Sequence, residues 1–407
     1  MASRWIPTLV FVTGLGAAVL TSTLPEQPVF SEPEPAAAAY DAKRAAALPA
    51  TFTWSDLPRP TPSAHAATVA EVLPGTRLPV ARREADLAPV TLVAAWFGGS
   101  REGAADVSLY QSEWRAGFDW MPAQEMLTRQ QAEDQLGRNI RKLGNPLLVT
   151  EPGRLHLFFV SVSYGGWAGS ALNRAHSDDG GKAWTPAQRI VTSPFFNLST
   201  LVRNPGLWLT DGSLGLPVYH EFITKHGEWL RLDPTGRVLA KERMAMPRAT
   251  LQPAVVPLNA THAVAALRDA GPGENQVQWS ETRDGGRSWQ GASARTIPNP
   301  NSAVAMIGLK DGSLLMACNP IGGNRNQLAL LRSKDQGSTW TLVRMIEQSA
   351  NDRDEYSYPA LIQDRTGMIH LVYTWMRKGI RHARFSQAWL NQPASASTPA
   401  HSPVIAQ

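Results

Sequence analysis

The chain has 407 residues, 43% apolar and 18% charged, with 32 Gly, 31 Pro and 14 Trp, a composition that builds a sizeable core and excludes a mainly disordered chain or a coiled coil. Its 39 basic and 34 acidic residues give a formal charge of +5 and are scattered without long runs, which favours an anionic ligand and argues against a nucleic-acid partner. The single cysteine, Cys318, excludes an intrachain disulfide, and no Cys/His pairs have zinc-finger spacing.

In chain order, Arg4 precedes an apolar stretch, Trp5 to Leu24, interrupted by Pro7, Thr8 and Thr13. Residues 1–24 read as an export signal or a membrane anchor, which would put the protein outside the cytoplasm: periplasmic, membrane-anchored or extracellular. Residues 25–62 carry eight prolines and many alanines and read as an extended linker. Residues 391–407 read as a Pro/Ala/Ser tail. The folded part is then 63–390, with one short helix around Gln124 to Leu136 as an insertion in the first repeat.

Within that region a repeat is visible. Ser177 to Trp184, Thr282 to Trp289 and Ser333 to Trp340 share Ser/Thr, then Asp at +2, Gly at +4 and Trp at +7. Degenerate copies lie at Leu232 to Gly236 and Ser112 to Trp120. Such a box suits a hairpin: Asp accepts bonds from turn N–H groups, Gly takes a conformation closed to other residues, and Trp anchors neighbouring repeats. A second turn signal recurs at Pro74-Gly75, Pro152-Gly153, Asp211-Gly212, Thr261-His262, Asp311-Gly312 and Thr366-Gly367. Strand-type apolar runs follow these turns, at Leu92–Phe97, Leu155–Val162, Leu214–Tyr219, Ala263–Leu267, Leu314–Ala317 and Ile369–Trp375. Six such units of about fifty residues, each long enough for four short strands, predict an all-β, six-bladed β-propeller.

In a propeller, the residues opening the innermost strands and the loops leaving the next strands converge on one face. Reading back from the turns gives His65, Asn145, Asn204, Gln252, Ser302 and Tyr358, all polar. Reading forward gives Arg101, Glu102 and Asp106; Tyr164 and Trp167; Tyr219, His220 and Glu221; Arg268 and Asp269; Asn319 and Arg325; and Trp375 and Arg377. Guanidinium groups grip a carboxylate, aromatics stack on a sugar ring, and carboxylates serve as acid or base, so the mixture suits a sugar acid. No cofactor or metal is demanded.

These Asp boxes and the six-unit layout resemble the sialidase (neuraminidase) superfamily over 63–390. The resemblance implies exo-hydrolysis of a terminal acidic sugar from a glycan, with retention through a tyrosine nucleophile and three arginines on the substrate carboxylate. Arg268 and Arg325 resemble the second and third arginines. Tyr358 resembles the nucleophile, with Tyr356 as the competing assignment, and Asp106 the acid/base. Arg101, Asn145, Trp167, Asn319 and Arg377 are expected around the substrate. The pattern breaks at two places. His65-Ala66-Ala67-Thr68 stands where the first arginine is expected, and Gln252 stands where a glutamate would deprotonate the tyrosine, which an amide does not do. Either Glu221 supplies that carboxylate, or His65 and Tyr358 carry a different chemistry, as in propeller rhamnosidases and uronate-polysaccharide lyases. A non-catalytic glycan-binding propeller is the third reading.

Overall fold

The computed structural model describes residues 27–32, 35–75, 89–273, 275–292 and 296–393. The signal or anchor expected over 1–24 and most of the tail lie outside them. No helix among the described residues is long and apolar enough to cross a membrane.

Six antiparallel sheets follow one another along the chain. The innermost strands are Ser63–Glu71, Lys142–Glu151, Leu201–Val202, Thr250–Pro257, Ala305–Gly308 and Tyr356–Gln363. Each pairs with a second strand at the expected apolar run: Thr91–Gly99, Arg154–Val162, Leu214–His220, Ala263–Asp269, Leu314–Cys318 and Ile369–Trp375. Apolar clusters fill the spaces between neighbouring sheets. One joins Leu143, Leu148 and Phe159 of the second blade to Ala95, Phe97 and Leu109 of the first. Another joins Leu315 and Leu330 of the fifth to Leu361 and Leu371 of the sixth. The six-bladed propeller is therefore the observed architecture.

The three full boxes turn each chain from the third strand of its blade toward the fourth. In the first, Asp179 Oδ1 accepts from the backbone N–H groups of Lys182 and Ala183, both at 3.0 Å, while Gly181 N–H donates to Ser177 Oγ at 2.8 Å. Thr282/Asp284 and Ser333/Asp335 make the equivalent turns. The tryptophans reach between blades: Trp184 Nε1 donates to Gln111 at 3.0 Å, Trp289 packs on Trp229, and Trp340 on Trp279.

The described residues between 27 and 62 differ from the expected linker. Phe52–Asp56 is the outermost strand of the sixth blade, paired antiparallel with the strand Gly379–Phe385. It clasps the ring by joining both ends of the chain in one sheet. Phe52 stacks on Trp389 at 4.5 Å and on Phe385 at 6.4 Å. Upstream, Pro35–Ala46 is a helix whose Ala45 is buried against the Gly367 turn, and Phe30 bridges to Leu209 beside Trp229. The helix expected over Gln124 to Leu136 is also shorter. Gln124–Leu127 is the outer strand of the first blade, and the helix is Arg129–Leu136, opened by a Thr128–Gln131 capping box and closed by Gly137.

Candidate active site

Four innermost strands carry the same irregularity. Their register slips at His65/Thr68, Gly144/Leu147, Leu251/Ala254 and Ser357/Ala360. Within each slip one non-glycine residue has a positive φ: Ala66 at 51°, Asn145 at 45°, Gln252 at 53° and Tyr358 at 51°. Such bulges re-aim a side chain, and the left-handed backbone costs about 1–2 kcal/mol per residue, held in place by the surrounding sheet. In the first blade the bulged residue is Ala66, so His65 sits one position earlier than its expected counterparts.

The re-aimed side chains converge. Asn145 Nδ2 and Gln252 Nε2 both donate to the Tyr219 hydroxyl, at 2.9 and 3.2 Å. Gln252 Oε1 accepts from Arg268 at 3.1 Å, and the same guanidinium nitrogen lies 3.3 Å from the Tyr358 hydroxyl. Asn301 holds the other side of Arg268 at 2.6 Å. Arg325 stands 5.9 Å from the Tyr358 ring centroid. Gln252 thus orients an arginine as a carboxylate would, without its charge. Asn145 and Tyr219 are buried and support the site from beneath.

Around this centre runs an ion-pair chain. Glu355 accepts from Arg325 Nη1 at 3.1 Å, Arg377 Nε at 2.6 Å and Ser357 Oγ at 2.6 Å. Burial opposes its ionisation, but the donation from Arg377 and Ser357 and the Arg325 charge hold the carboxyl down at about 2. Arg377 continues to Glu102. His65 lies 4.0 Å from Glu102 and packs against Tyr358 with ring centroids 4.4 Å apart. Both its ring nitrogens are buried and without a hydrogen-bond partner. Burial, reinforced by the Arg377 charge, pushes His65 down to about 3, so the imidazole is neutral. It borders a pocket of about 520 Å³ lined also by Arg101, Glu102, Lys142, Trp167 and Arg377. Lys142 Nζ is 6.0 Å from the Trp167 ring centroid.

Five residues of the sequence-derived set sit differently from expectation. Asp106 is exposed and bonded to the N–H and Oγ of Ser100 at 2.9 and 3.0 Å; these bonds hold its carboxyl below its ordinary value, a poor setting for a proton donor. Asn319 is fully buried, donating to the Gln327 and Tyr356 carbonyls and accepting from Ser302, so it braces the fifth blade and has no group left for substrate. Glu221 makes no side-chain hydrogen bond among the described residues; burial raises its carboxyl, against the charge of Arg268. Tyr356, the competing nucleophile, is buried and raised to about 12 by that burial and by Glu347 and Asp354. Trp375 has guanidinium groups against its ring, Arg381 at 4.5 Å and Arg59 at 5.0 Å, rather than a free face for a sugar.

Two residues absent from the sequence-derived set matter here. Glu355 is the carboxylate on which Arg325 and Arg377 meet. Arg203, fully buried, crosses from the third blade to donate to the Ala67, Tyr358 and Pro359 carbonyls at 3.0, 2.5 and 2.7 Å. Burial lowers it to about 10. Neighbouring Asn204 bonds the Gln252 and Pro253 carbonyls in the same manner, at 3.2 and 3.1 Å. Carbonyls at the Tyr358 and Gln252 bulges are thus satisfied from the third blade. The recurring X-Pro pairs Asn145-Pro146, Asn204-Pro205, Gln252-Pro253 and Tyr358-Pro359 were the available signal.

No curated protein matches the chain in sequence. Among solved structures it is similar to the Hadza microbial sialidase Hz136, at 17% identity and a TM-score of 0.62, covering 80% of this chain and 66% of that one, just under two thirds of its length. It is similar also to the intramolecular trans-sialidase from Ruminococcus gnavus, at 13% identity and a TM-score of 0.58 over 80% of this chain and 95% of that one. The Trypanosoma rangeli sialidase superposes at 12% identity and a TM-score of 0.61, over 84% and 60%. These likenesses concern the fold. The family model for the BNR repeat-like domain matches residues 90–371, more than half of the chain, and with the boxes and six blades described above it shows that this protein belongs to the BNR repeat-like family.

Proposed function

We propose that the protein is a sialidase-like exo-glycosidase that releases a terminal acidic sugar, sialic acid or a relative, from glycans with retention of configuration. One observation carries the reading: the Tyr358 hydroxyl lies 3.3 Å from Arg268 with Arg325 against its ring. Two guanidinium groups placed around that oxygen suit a sugar carboxylate held beside it. The sialidase fold of the structural neighbours supports it, and the R. gnavus structure was solved with oseltamivir carboxylate.

In this reading Arg268 and Arg325 hold the carboxylate. Tyr358 oxygen bonds to the anomeric carbon as the bond to the leaving oxygen breaks, and water then releases the sugar. Glu221 takes the tyrosine proton. We assign protonation of the leaving oxygen to Glu102, which lines the pocket where Asp106 does not, and which must leave its ion pair with Arg377 to do so. Arg101, Arg377 and Trp167 contact the remainder of the glycan. The apolar stretch of residues 5–24 supports export to the periplasm or anchoring to a membrane, which fractionation of expressing cells would test. Fluorogenic sialosides test the activity itself: release is expected from the wild type and not from Tyr358→Phe, and no difference between the two sinks the assignment.

One observation favours a second reading. His65 is buried and unpartnered against Tyr358, the pair that a histidine/tyrosine enzyme acting on uronate or rhamnose glycans would use. His65→Ala separates the two, because a sialidase-type reaction keeps its tyrosine chemistry while the alternative loses its acid/base group. Glycan-array binding without turnover by either chemistry would point to a non-catalytic propeller.

A further inference from the structure

The third blade carries a second cluster of ligating side chains, outside the pocket. His220 ends one strand, His226 opens the next, and the two are directly opposite in the antiparallel pair. Glu228 follows two residues later and so shares the face of His226. That face is turned to the second blade, since Leu230, next in the series, packs with Leu147, Val149 and Phe158. Gly227 and Trp229 are turned to the fourth blade instead. One donor atom from each of His220, His226 and Glu228 lies within 4.8 Å of the other two.

The orientation of these groups suits a cation. His226 Nδ1 is 3.1 Å from Thr224 Oγ1, which leaves Nε2 turned to Glu228 Oε1 at 3.3 Å. His220 is hydrogen-bonded to the Ser199 backbone. Each imidazole therefore has an outer partner fixing its orientation, as metal-binding histidines do. Lys241 Nζ sits 3.0 Å from Glu228 Oε2, leaving Oε1 for an ion.

We propose that His220, His226 and Glu228 form a binding site for a divalent transition-metal ion of the Zn²⁺ type. Two nitrogens and one carboxylate oxygen suit such an ion, and the hard cations that prefer all-oxygen cages are disfavoured. Metal–donor distances of about 2.0–2.2 Å need donors about 3.4 Å apart, so the cluster closes by roughly 1 Å at one end of the hairpin. The ion would tie together both ends of the connecting loop, whose Glu221 N–H bonds Ser199 Oγ at 2.7 Å. Its carboxylate interacts with Arg268. The role is to hold the loop, and the proposal stands independently of the glycosidase reading.

The test uses the full, untagged chain stripped with chelator. Calorimetric titration with Zn²⁺ is expected to show one saturable equivalent, with a rise in Tm that Ca²⁺ does not produce. His220→Asn and His226→Asn should each weaken binding by at least about tenfold and remove the Tm shift, with circular dichroism unchanged. Co²⁺ added to the unaltered chain should give visible absorption of a four-coordinate site with nitrogen ligands, a readout needing no variant. Absence of saturable binding and of the Co²⁺ bands, or binding undiminished in both variants, overturns the proposal.

Discussion

Glu355→Gln removes the carboxylate shared by Arg325 and Arg377 while keeping its shape and one acceptor oxygen. In the native protein Glu355 accepts from Arg377 at 2.6 Å, Arg325 at 3.1 Å and Ser357 at 2.6 Å. Burial alone would raise its carboxyl; the donors reverse that and bring it to about 2 from an ordinary 4.5. A folded-state value below the unfolded one adds stability that is fully present above pH 4.5 and is lost as the pH falls toward 2. That gap corresponds to about 3 kcal/mol at pH 7 and about 1 kcal/mol at pH 3. Urea denaturation of wild type and variant at both pH values measures it. Glu355→Gln should lower the unfolding free energy by about 3 kcal/mol at neutral pH and by about 1 kcal/mol at pH 3. An equal loss at both, or none at pH 7, would show that the effect does not come from the charge.

Arg203→Met leaves the Ala67, Tyr358 and Pro359 carbonyls without their donor. At about 1–3 kcal/mol for each unsatisfied buried group, it should lower stability by at least about 3 kcal/mol, read from the urea midpoint; an unmoved midpoint would mean the carbonyls find other partners. A chain starting at Ser63 lacks the clasp Phe52–Asp56 and bares the edge of the strand Gly379–Phe385. Size-exclusion chromatography should find it aggregated, and a chain starting at Gln27 monodisperse relative to it. Equal behaviour and equal Tm would show that the clasp contributes nothing to closure.

The propeller was legible because its signals are local. Asp179, Asp284 and Asp335 each bond backbone within four residues, so the box announces its own turn, and the apolar runs after each turn gave the second strands to within about two residues. The clasp was hidden: five residues, Phe52 to Asp56, among prolines and alanines carry little strand signal, and their partner lies more than 300 residues away. The site divided along the same line. Arg268, Arg325, Arg377, Tyr358, His65 and Gln252 occupy recurring positions at strand ends, and the structure brings them together. Glu355 and Arg203 act across blades: the X-Pro pairs mark the bulges, but the carbonyls that Arg203 bonds lie 136 to 156 residues away in sequence. Asp106 and Asn319 stand at recurring positions too, but their polar atoms are consumed by Ser100 and by the fifth-blade backbone. Position in a repeat fixes where a side chain starts, and its hydrogen bonds decide what it is free to do.

The most direct test of the central claim is a ¹H NMR time course of the purified protein with sialylated and uronate-terminated glycans. Release of the terminal acidic sugar is expected first as the anomer it had in the substrate, with no release by Tyr358→Phe. An inverted first product, an unsaturated sugar, or undiminished turnover by Tyr358→Phe would contradict that claim.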